Sequence, residues 1–223
     1  MYYVNQRNYP HICYPTMTGV PGRKRMDTTI SSSGCGVCSA SMIVQNLTGE
    51  EFSLADAMEL SIAVGANHSP GTDMGVLAPY VAERFELDLV ETTDPSKIRE
   101  LLGQGYMAIA NISGDRPEDE HIGLFSHGGH YVVVVDYDAT TDMVTILDPS
   151  QVPGKFLEQG REGKVIENGY ILHTQFTTLA EDCLPRSTEY YPEGSDFRVW
   201  LDYTHKTNSE NAFFLFGFGC CCD

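Results

Sequence analysis

The sequence is poor in basic side chains. Its 223 residues include 14 lysines and arginines against 31 aspartates and glutamates, which gives a formal net charge of -17. Most of such a surface repels polyanions such as nucleic acids, and it repels anionic bilayers for the same reason. We therefore expect neither nucleic acid nor a membrane among the partners of this protein.

Long apolar runs are also missing. No stretch approaches the roughly 20 residues that cross a bilayer, and the N-terminus, MYYVNQRNYPH, lacks the basic and then apolar layout of a secretion signal. These absences predict a cytoplasmic protein, or a secreted one if a signal has been removed. Because no repeat or linker divides the chain, we predict one domain over residues 1–223, with an oligomeric state that the sequence leaves open.

The periodicity of the chain changes near residue 105. Helical spacing of apolar residues precedes that point, and short runs rich in β-branched residues follow it. Helices followed by an antiparallel sheet predict an α+β fold. Residues 1–34 read as an extended arm, and residues 113–128 and 150–168 as long polar excursions. Within the first of these, residues 114–121 read as a solvated surface loop or a mobile lid. The predicted helices are 36–47, 54–64, 76–85 and 95–102, and the predicted strands are 106–112, 130–137, 143–147, 170–173, 197–203 and 212–218.

Regular cysteine spacing is absent as well. The seven cysteines are an odd number without the pattern of a disulfide framework, so we expect free thiols. Two of them, Cys35 and Cys38, lie in SSSGCGVCSASM, where a glycine-containing loop leads into the first predicted helix.

Three kinds of chemistry are open to this pair. A redox pair should follow a central strand, but the preceding residues DTTISSSG are too polar and too rich in serine for one. A structural zinc ion needs four ligands, and the only other cluster is Cys220 to Cys222 at the end of the chain. A nucleophile at Cys35 suits the helix N-terminus, where backbone N–H groups stabilise a thiolate. Cys38 then reads as a small packing residue.

A thiolate nucleophile needs a base, and the base needs an orienting group. His130 follows two glycines at the start of a predicted strand. If the strands around 130–137 and 142–148 form a hairpin with its turn near residue 139 or 140, opposed residue numbers sum to about 278 to 280. The partner of His130 then lies near 148–150, which brings the carboxylate of Asp148 beside the imidazole.

Five short motifs stand out: Ser33-Gly34-Cys35-Gly36, Leu47-Thr48-Gly49, Gly71-Thr72-Asp73, Gly128-Gly129-His130-Tyr131-Val132-Val133 and Leu147-Asp148-Pro149. Together they resemble the peptidase family typified by the double-glycine leader peptidases of bacteriocin exporters, and especially its free-standing bacterial members. The resemblance covers about residues 1–150. It implies a papain-like fold with N-terminal helices on a C-terminal antiparallel sheet, and a cysteine peptidase that uses Cys35, His130 and Asp148. It also implies that Gln6 helps to bind the oxyanion, and it implies a peptide or protein substrate.

Two departures bear on function. Members of that family usually follow the nucleophile with Gly-Pro-Thr-Ser, whereas this chain has Gly36-Val37-Cys38-Ser39, and the sequence after residue 150 matches no pattern of the family. A non-catalytic peptide-binding module and a redox protein using Cys35 and Cys38 therefore stay open as alternatives. We expect no cofactor or metal, because the spacings of His121, His127 and His130 match no common ligand pattern.

Overall fold

A computed structural model of the chain describes residues 1–16, 28–67, 71–194 and 213–219. Within this part of the chain there are six α-helices and seven strands, besides short 3-10 turns. The helices are α1 (Ile30–Ser33), α2 (Cys35–Thr48), α3 (Leu54–Ala63), α4 (Met74–Arg84), α5 (Pro95–Gly103) and α6 (Phe176–Asp182). The strands are β1 (Asp88–Thr92), β2 (Met107–Ile112), β3 (His130–Asp138), β4 (Met143–Leu147), β5 (Ile166–Asn168), β6 (Ile171–Gln175) and β7 (Phe213–Gly217).

All seven strands form one antiparallel sheet in the order β1-β7-β2-β3-β4-β6-β5. The predicted α+β architecture is confirmed, although the sheet extends beyond what the sequence indicated. Strand β7 comes from the end of the chain and inserts between β1 and β2, where its five residues are all buried. The sequence after residue 150 is therefore part of the same sheet.

Helices cover both faces of this sheet. Alternate residues of the central strands pack on α2 and its neighbours on one face, and the intervening residues pack on α5 and α6 on the other. In β7, for example, Phe214 and Phe216 join the first core, and Phe213 and Leu215 join the second. The predicted packing of N-terminal helices on an antiparallel sheet is confirmed, and the predicted helix at 95–102 is the one that lies on the second face.

Helix α2 is the central element of the first layer. It begins after Gly34 and ends at Gly49, whose φ of 76° is a left-handed conformation that favours glycine. The residues from Gly36 to Val44 are all buried, because α2 packs on both β3 and α3. The buried residues include Ser39 and Ser41 as well as apolar side chains.

Gly34 and Gly36 flank Cys35, and different neighbours exclude a side chain at each position. A Cβ atom on Gly34 would lie 2.6 Å from the carbonyl oxygen of Ile30, so the tight junction of α1 and α2 excludes a side chain there. A Cβ atom on Gly36 would lie 2.5 Å from Cβ of Thr72. Close packing on Thr72 therefore accounts for Gly36 in the structure.

Capping residues mark the starts of three helices. The side chains of Ser53, Asp73 and Asp94 accept hydrogen bonds from the first turns of α3, α4 and α5. The predicted helices and strands within the described residues agree with the observed ones to within about two residues. The strand predicted over 197–203 and the terminal cysteines lie outside the described residues. Short elements such as α1, α6, β1 and β5 were not predicted.

Within the described residues, no helix is both long enough and apolar enough to traverse a membrane.

Candidate active site

Cys35 is the first residue of α2, and its side chain is partly exposed. Burial opposes ionisation of the thiol, but the hydrogen bond and charge of His130 outweigh it, together with the backbone N–H groups of Tyr131 and Gly36. These interactions hold the pKa of Cys35 below its ordinary value. The helix start and the neighbouring strand therefore both favour the thiolate.

His130 is the first residue of β3 and is 6% exposed. Its Nε2 atom lies 2.8 Å from Oδ1 of Asp148, so Nδ1 is the ring nitrogen left for Cys35. Burial lowers the pKa of His130, but Asp148 and then Cys35 raise it, and the result is a pKa of about 8. The site thus favours an imidazolium next to a thiolate.

Asp148 directly follows β4 and is completely buried. Its Oδ1 atom also accepts a hydrogen bond of 2.8 Å from the backbone N–H of Ser150, and its Oδ2 atom lies 2.6 Å from Nζ of Lys155. Burial by itself would raise the pKa of this carboxyl, but His130 and Lys155 hold it well below its usual range. Asp148 is therefore an ionised carboxylate with partners on both oxygens.

The hairpin arithmetic gave the position of Asp148 correctly. Val133 pairs with Leu147 and Val134 with Ile146, and both pairs sum to 280. A register shift between Val134 and Asp136 leaves these pairs at the His130 end of the hairpin intact. The register therefore carries Asp148 back beside His130, as the sequence predicted.

Gln6 is buried, at 4% exposure, and is not a residue of an exposed arm. Its backbone N–H donates to the carbonyl of Pro149 over 2.7 Å, and its Nε2 donates to the carbonyl of Ser31 over 2.9 Å. The first bond ties Gln6 to the segment after Asp148, and the second ties it to the helix that leads into Cys35. One amide hydrogen of Nε2 is not used by Ser31, and Oε1 has no hydrogen-bond partner among the described residues.

Cys38 lies in the hydrophobic core, one turn along α2 from Cys35. Burial raises the pKa of its thiol, and the neighbouring Cys35 raises it further. Cys38 is therefore a buried packing residue whose thiol is far less acidic than that of Cys35.

The two loop histidines have carboxylate partners away from Asp148. His121 lies 2.9 Å from Asp182, and His127 lies 3.0 Å from Asp115 and 3.2 Å from Glu158. Among the described residues no group of three or more His, Cys, Asp or Glu side chains is arranged to hold a metal ion.

The loop between β2 and β3 is exposed at residues 117–120 and is held by buried side chains further along. The buried carboxylate of Asp182 accepts hydrogen bonds from the backbone N–H groups of Leu124 and Phe125, over 2.7 and 3.1 Å. Arg161 donates to the carbonyl of Gly123 over 2.7 Å. These bonds tie the segment from Gly123 to Phe125 to α6 and to the chain after β4.

Sequence reasoning missed Lys155 and Ser150. Lys155 is 7% exposed, and its Nζ contacts both Asp148 and the hydroxyl of Ser150, the latter over 3.0 Å. That hydroxyl also lies 3.2 Å from Nε2 of His130. The only signal was a lysine seven residues after Asp148, in the apolar setting Pro-Gly-Lys-Phe.

Comparison with known proteins points to one family. No curated protein matches the chain. The Peptidase_C39 like family matches residues 3–158, about 70% of the chain, and this stretch includes Gln6, Cys35, His130 and Asp148. The chain therefore belongs to the Peptidase_C39 like family, and this membership indicates a peptidase of the cysteine type with a papain-like α+β fold.

Proposed function

We propose that this protein is a cysteine peptidase in which Cys35 is the nucleophile, His130 the acid and base, and Asp148 the group that orients His130. The observation that carries the proposal is an unbroken line of contacts. Cys35 is hydrogen-bonded to His130, and the other ring nitrogen of His130 lies 2.8 Å from Asp148. Acyl transfer requires a nucleophile, a base and an orienting carboxylate in contact in this order.

The reaction follows from the charges of the site. The Cys35 thiolate attacks the carbonyl carbon of the scissile peptide bond, and the carbonyl oxygen becomes an oxyanion. The imidazolium of His130 gives its proton to the leaving amine, the C–N bond breaks, and an acyl-enzyme remains. Neutral His130 then takes a proton from water, whose oxygen attacks the thioester, and Cys35 leaves as the thiolate.

Gln6 is proposed to stabilise the oxyanion together with the backbone N–H of Cys35. Its Nε2 keeps one hydrogen that Ser31 does not use, while the bond to Ser31 fixes the orientation of the amide. A buried and pre-oriented donor stabilises developing charge without reorganisation during the reaction.

The substrate class that we propose is a peptide or protein bound in extended form. Within the family, we assign the chain to the free-standing relatives of the double-glycine leader peptidases, on the motifs around Cys35 and His130. Cleavage after paired glycines is the specificity that this assignment carries. The proposed mechanism uses side chains and water, and neither a cofactor nor a metal takes part in it.

The test combines hydrolysis and alkylation. A peptide library that includes double-glycine sequences is digested with the protein and with Cys35→Ala, and we expect the variant to lose at least about 1,000-fold in rate. Cys13→Ala is the matched control, because Cys13 is an exposed thiol outside the site. In parallel, iodoacetamide should alkylate Cys35 with a midpoint pH well below the ordinary value of a free thiol, about 8.5.

Each alternative predicts a different result. A non-catalytic peptide-binding module would hydrolyse nothing, and Cys35 would alkylate like an ordinary thiol. A redox protein would form a reversible Cys35 to Cys38 disulfide whose population follows the glutathione ratio, and Cys38→Ala would abolish its activity. Either result would overturn the peptidase assignment.

A further inference from the structure

A lysine is buried directly behind the proposed orienting carboxylate. Lys155 opens a 3-10 turn, Lys155–Leu157, after Gly154, whose φ is 79°. Its Nζ atom lies 2.6 Å from Oδ2 of Asp148 and 3.0 Å from Oγ of Ser150. A lysine is rarely buried unless it is paired, because desolvation of the ammonium group is strongly unfavourable. The proposed mechanism gives this residue no task.

The two oxygens of Asp148 have separate partners. Oδ1 accepts from Nε2 of His130 and from the backbone N–H of Ser150, and Oδ2 accepts from Lys155. A carboxylate bonded at one oxygen only can turn about its terminal bond. With Oδ2 held by Lys155 and Oδ1 by Ser150, the carboxylate presents one oxygen to His130 in one orientation. The imidazole plane is then fixed, with Nδ1 toward Cys35.

We propose that Lys155 is a positioning residue of this site, which holds Oδ2 of Asp148 and shares the negative charge of that carboxylate with His130. This inference rests on the proposed function. It assigns Lys155 two effects: the imidazole keeps its orientation toward Cys35, and the carboxylate stabilises the imidazolium less than an unshared charge would.

The second effect separates positioning from a purely structural ion pair. The groups that face His130 include Cys35 from α2 and Asp148 from the end of β4, with Lys155 behind Asp148. Tyr3, whose hydroxyl donates to the backbone carbonyl of Asp148 over 2.8 Å, stays neutral because burial raises its pKa. Removal of the ammonium group therefore leaves the full charge of Asp148 to His130, and the pKa of the imidazole must rise.

The experiment measures this pKa and the rate in Lys155→Met. NMR titration of 13C-labelled histidine, with His130 assigned by its own substitution, should show a rise of about 0.5 to 1 in the pKa. The basic limb of the kcat/KM profile should move up with it. We expect kcat to fall about 10-fold with little change in KM, because orientation and not substrate binding is lost.

Matched variants define the cause. Lys97→Met removes the same group from an exposed pair with Glu100 and should change neither the pKa of His130 nor kcat. Lys155→Arg keeps the positive charge and should restore the pKa of His130.

Folded Lys155→Met protein with an unchanged pKa of His130 and unchanged kcat would overturn the proposal, because the lysine would then only stabilise the fold. If Lys155→Met does not fold, Lys155→Gln removes the charge but keeps a donor for Asp148, and the same rise in the pKa is required of it. A different result would contradict the proposed function, namely that Cys35 of the unsubstituted protein is alkylated like an ordinary thiol.

Discussion

Asp148→Asn removes the buried carboxylate that His130 contacts and replaces it with a neutral amide of similar size. In the structure the pKa of His130 is about 8 against an ordinary 6.5, although burial acts to lower it. A difference of about 1.5 corresponds to about 2 kcal/mol, or to about a 30-fold change in an equilibrium. Asp148 is the main cause of the raised pKa of His130. In Asp148→Asn the ratio of the ion pair (thiolate with imidazolium) to the neutral pair (thiol with imidazole) should therefore fall by about 30-fold.

Alkylation of Cys35 by iodoacetamide measures this ratio without any substrate. The rate is followed by mass spectrometry of the Cys35 peptide across the pH range, so that other thiols do not interfere. In Asp148→Asn the thiolate should appear at higher pH, and near pH 7 alkylation should slow by about 10-fold or more. Hydrolysis should fall with it, because less imidazolium is present to protonate the leaving amine.

Asp182→Asn is the matched control. Asp182 is also a fully buried carboxylate, 2.9 Å from a histidine, but that histidine is His121. The control should lose stability and leave the alkylation profile of Cys35 unchanged. If Asp148→Asn, like the control, kept the alkylation profile of the unsubstituted protein, the contact between His130 and Asp148 would have no electrostatic consequence for Cys35. That result would refute the reasoning.

Asp148→Asn also leaves Lys155 buried without its counter-ion. Breaking a buried pair from one side costs about 3 to 5 kcal/mol. The double variant Asp148→Asn with Lys155→Met removes the uncompensated charge and should recover part of this loss in urea unfolding. It should not recover the alkylation profile, because His130 still lacks its carboxylate.

Three further outcomes are expected. Gln6→Ala should lower kcat about 100- to 1,000-fold and leave iodoacetamide alkylation of Cys35 nearly unchanged; equal losses in both assays would contradict the oxyanion role. Cys38→Ala should keep both peptide hydrolysis and the alkylation of Cys35, and it should lower the free energy of unfolding by about 1 kcal/mol through the small cavity that it leaves. Loss of hydrolysis would favour the redox alternative. Phe214→Ala, at a fully buried position of β7, should cost about 3 to 5 kcal/mol in urea unfolding, while Phe218→Ala, 59% exposed, should cost less than about 0.5.

Local signals predicted the helices well. Ser53 and Asp94 are capping residues whose side chains bond the first turn of the helix that follows, so the start of that helix is written in neighbouring residues. The hairpin of β3 and β4 was equally local, because a short turn fixes which residues face each other. Asp148 could therefore be placed beside His130 by counting.

Edge strands were missed for a physical reason. Strand β1, Asp88–Thr92, and strand β5, Ile166–Asn168, lie at the two edges of the sheet, and all three residues of β5 are exposed. An exposed strand does not need the apolar alternation by which strands are recognised. Such strands form because a neighbouring strand offers hydrogen bonds, and for β1 that neighbour is β7, which is far away in the chain.

The sequence by itself determined where the thiol of Cys35, the imidazole of His130 and the carboxylate of Asp148 lie in the secondary structure. Helix starts, caps and hairpin register depend on residues that are close together in the chain. Only the tertiary structure decided what surrounds them. The burial of Gln6 depends on bonds to Ser31 and Pro149, which are distant in sequence from it. The ion pair of Lys155 exists because the segment after Asp148 folds back over the carboxylate. Burial strengthens these contacts, and burial is a property of the whole fold.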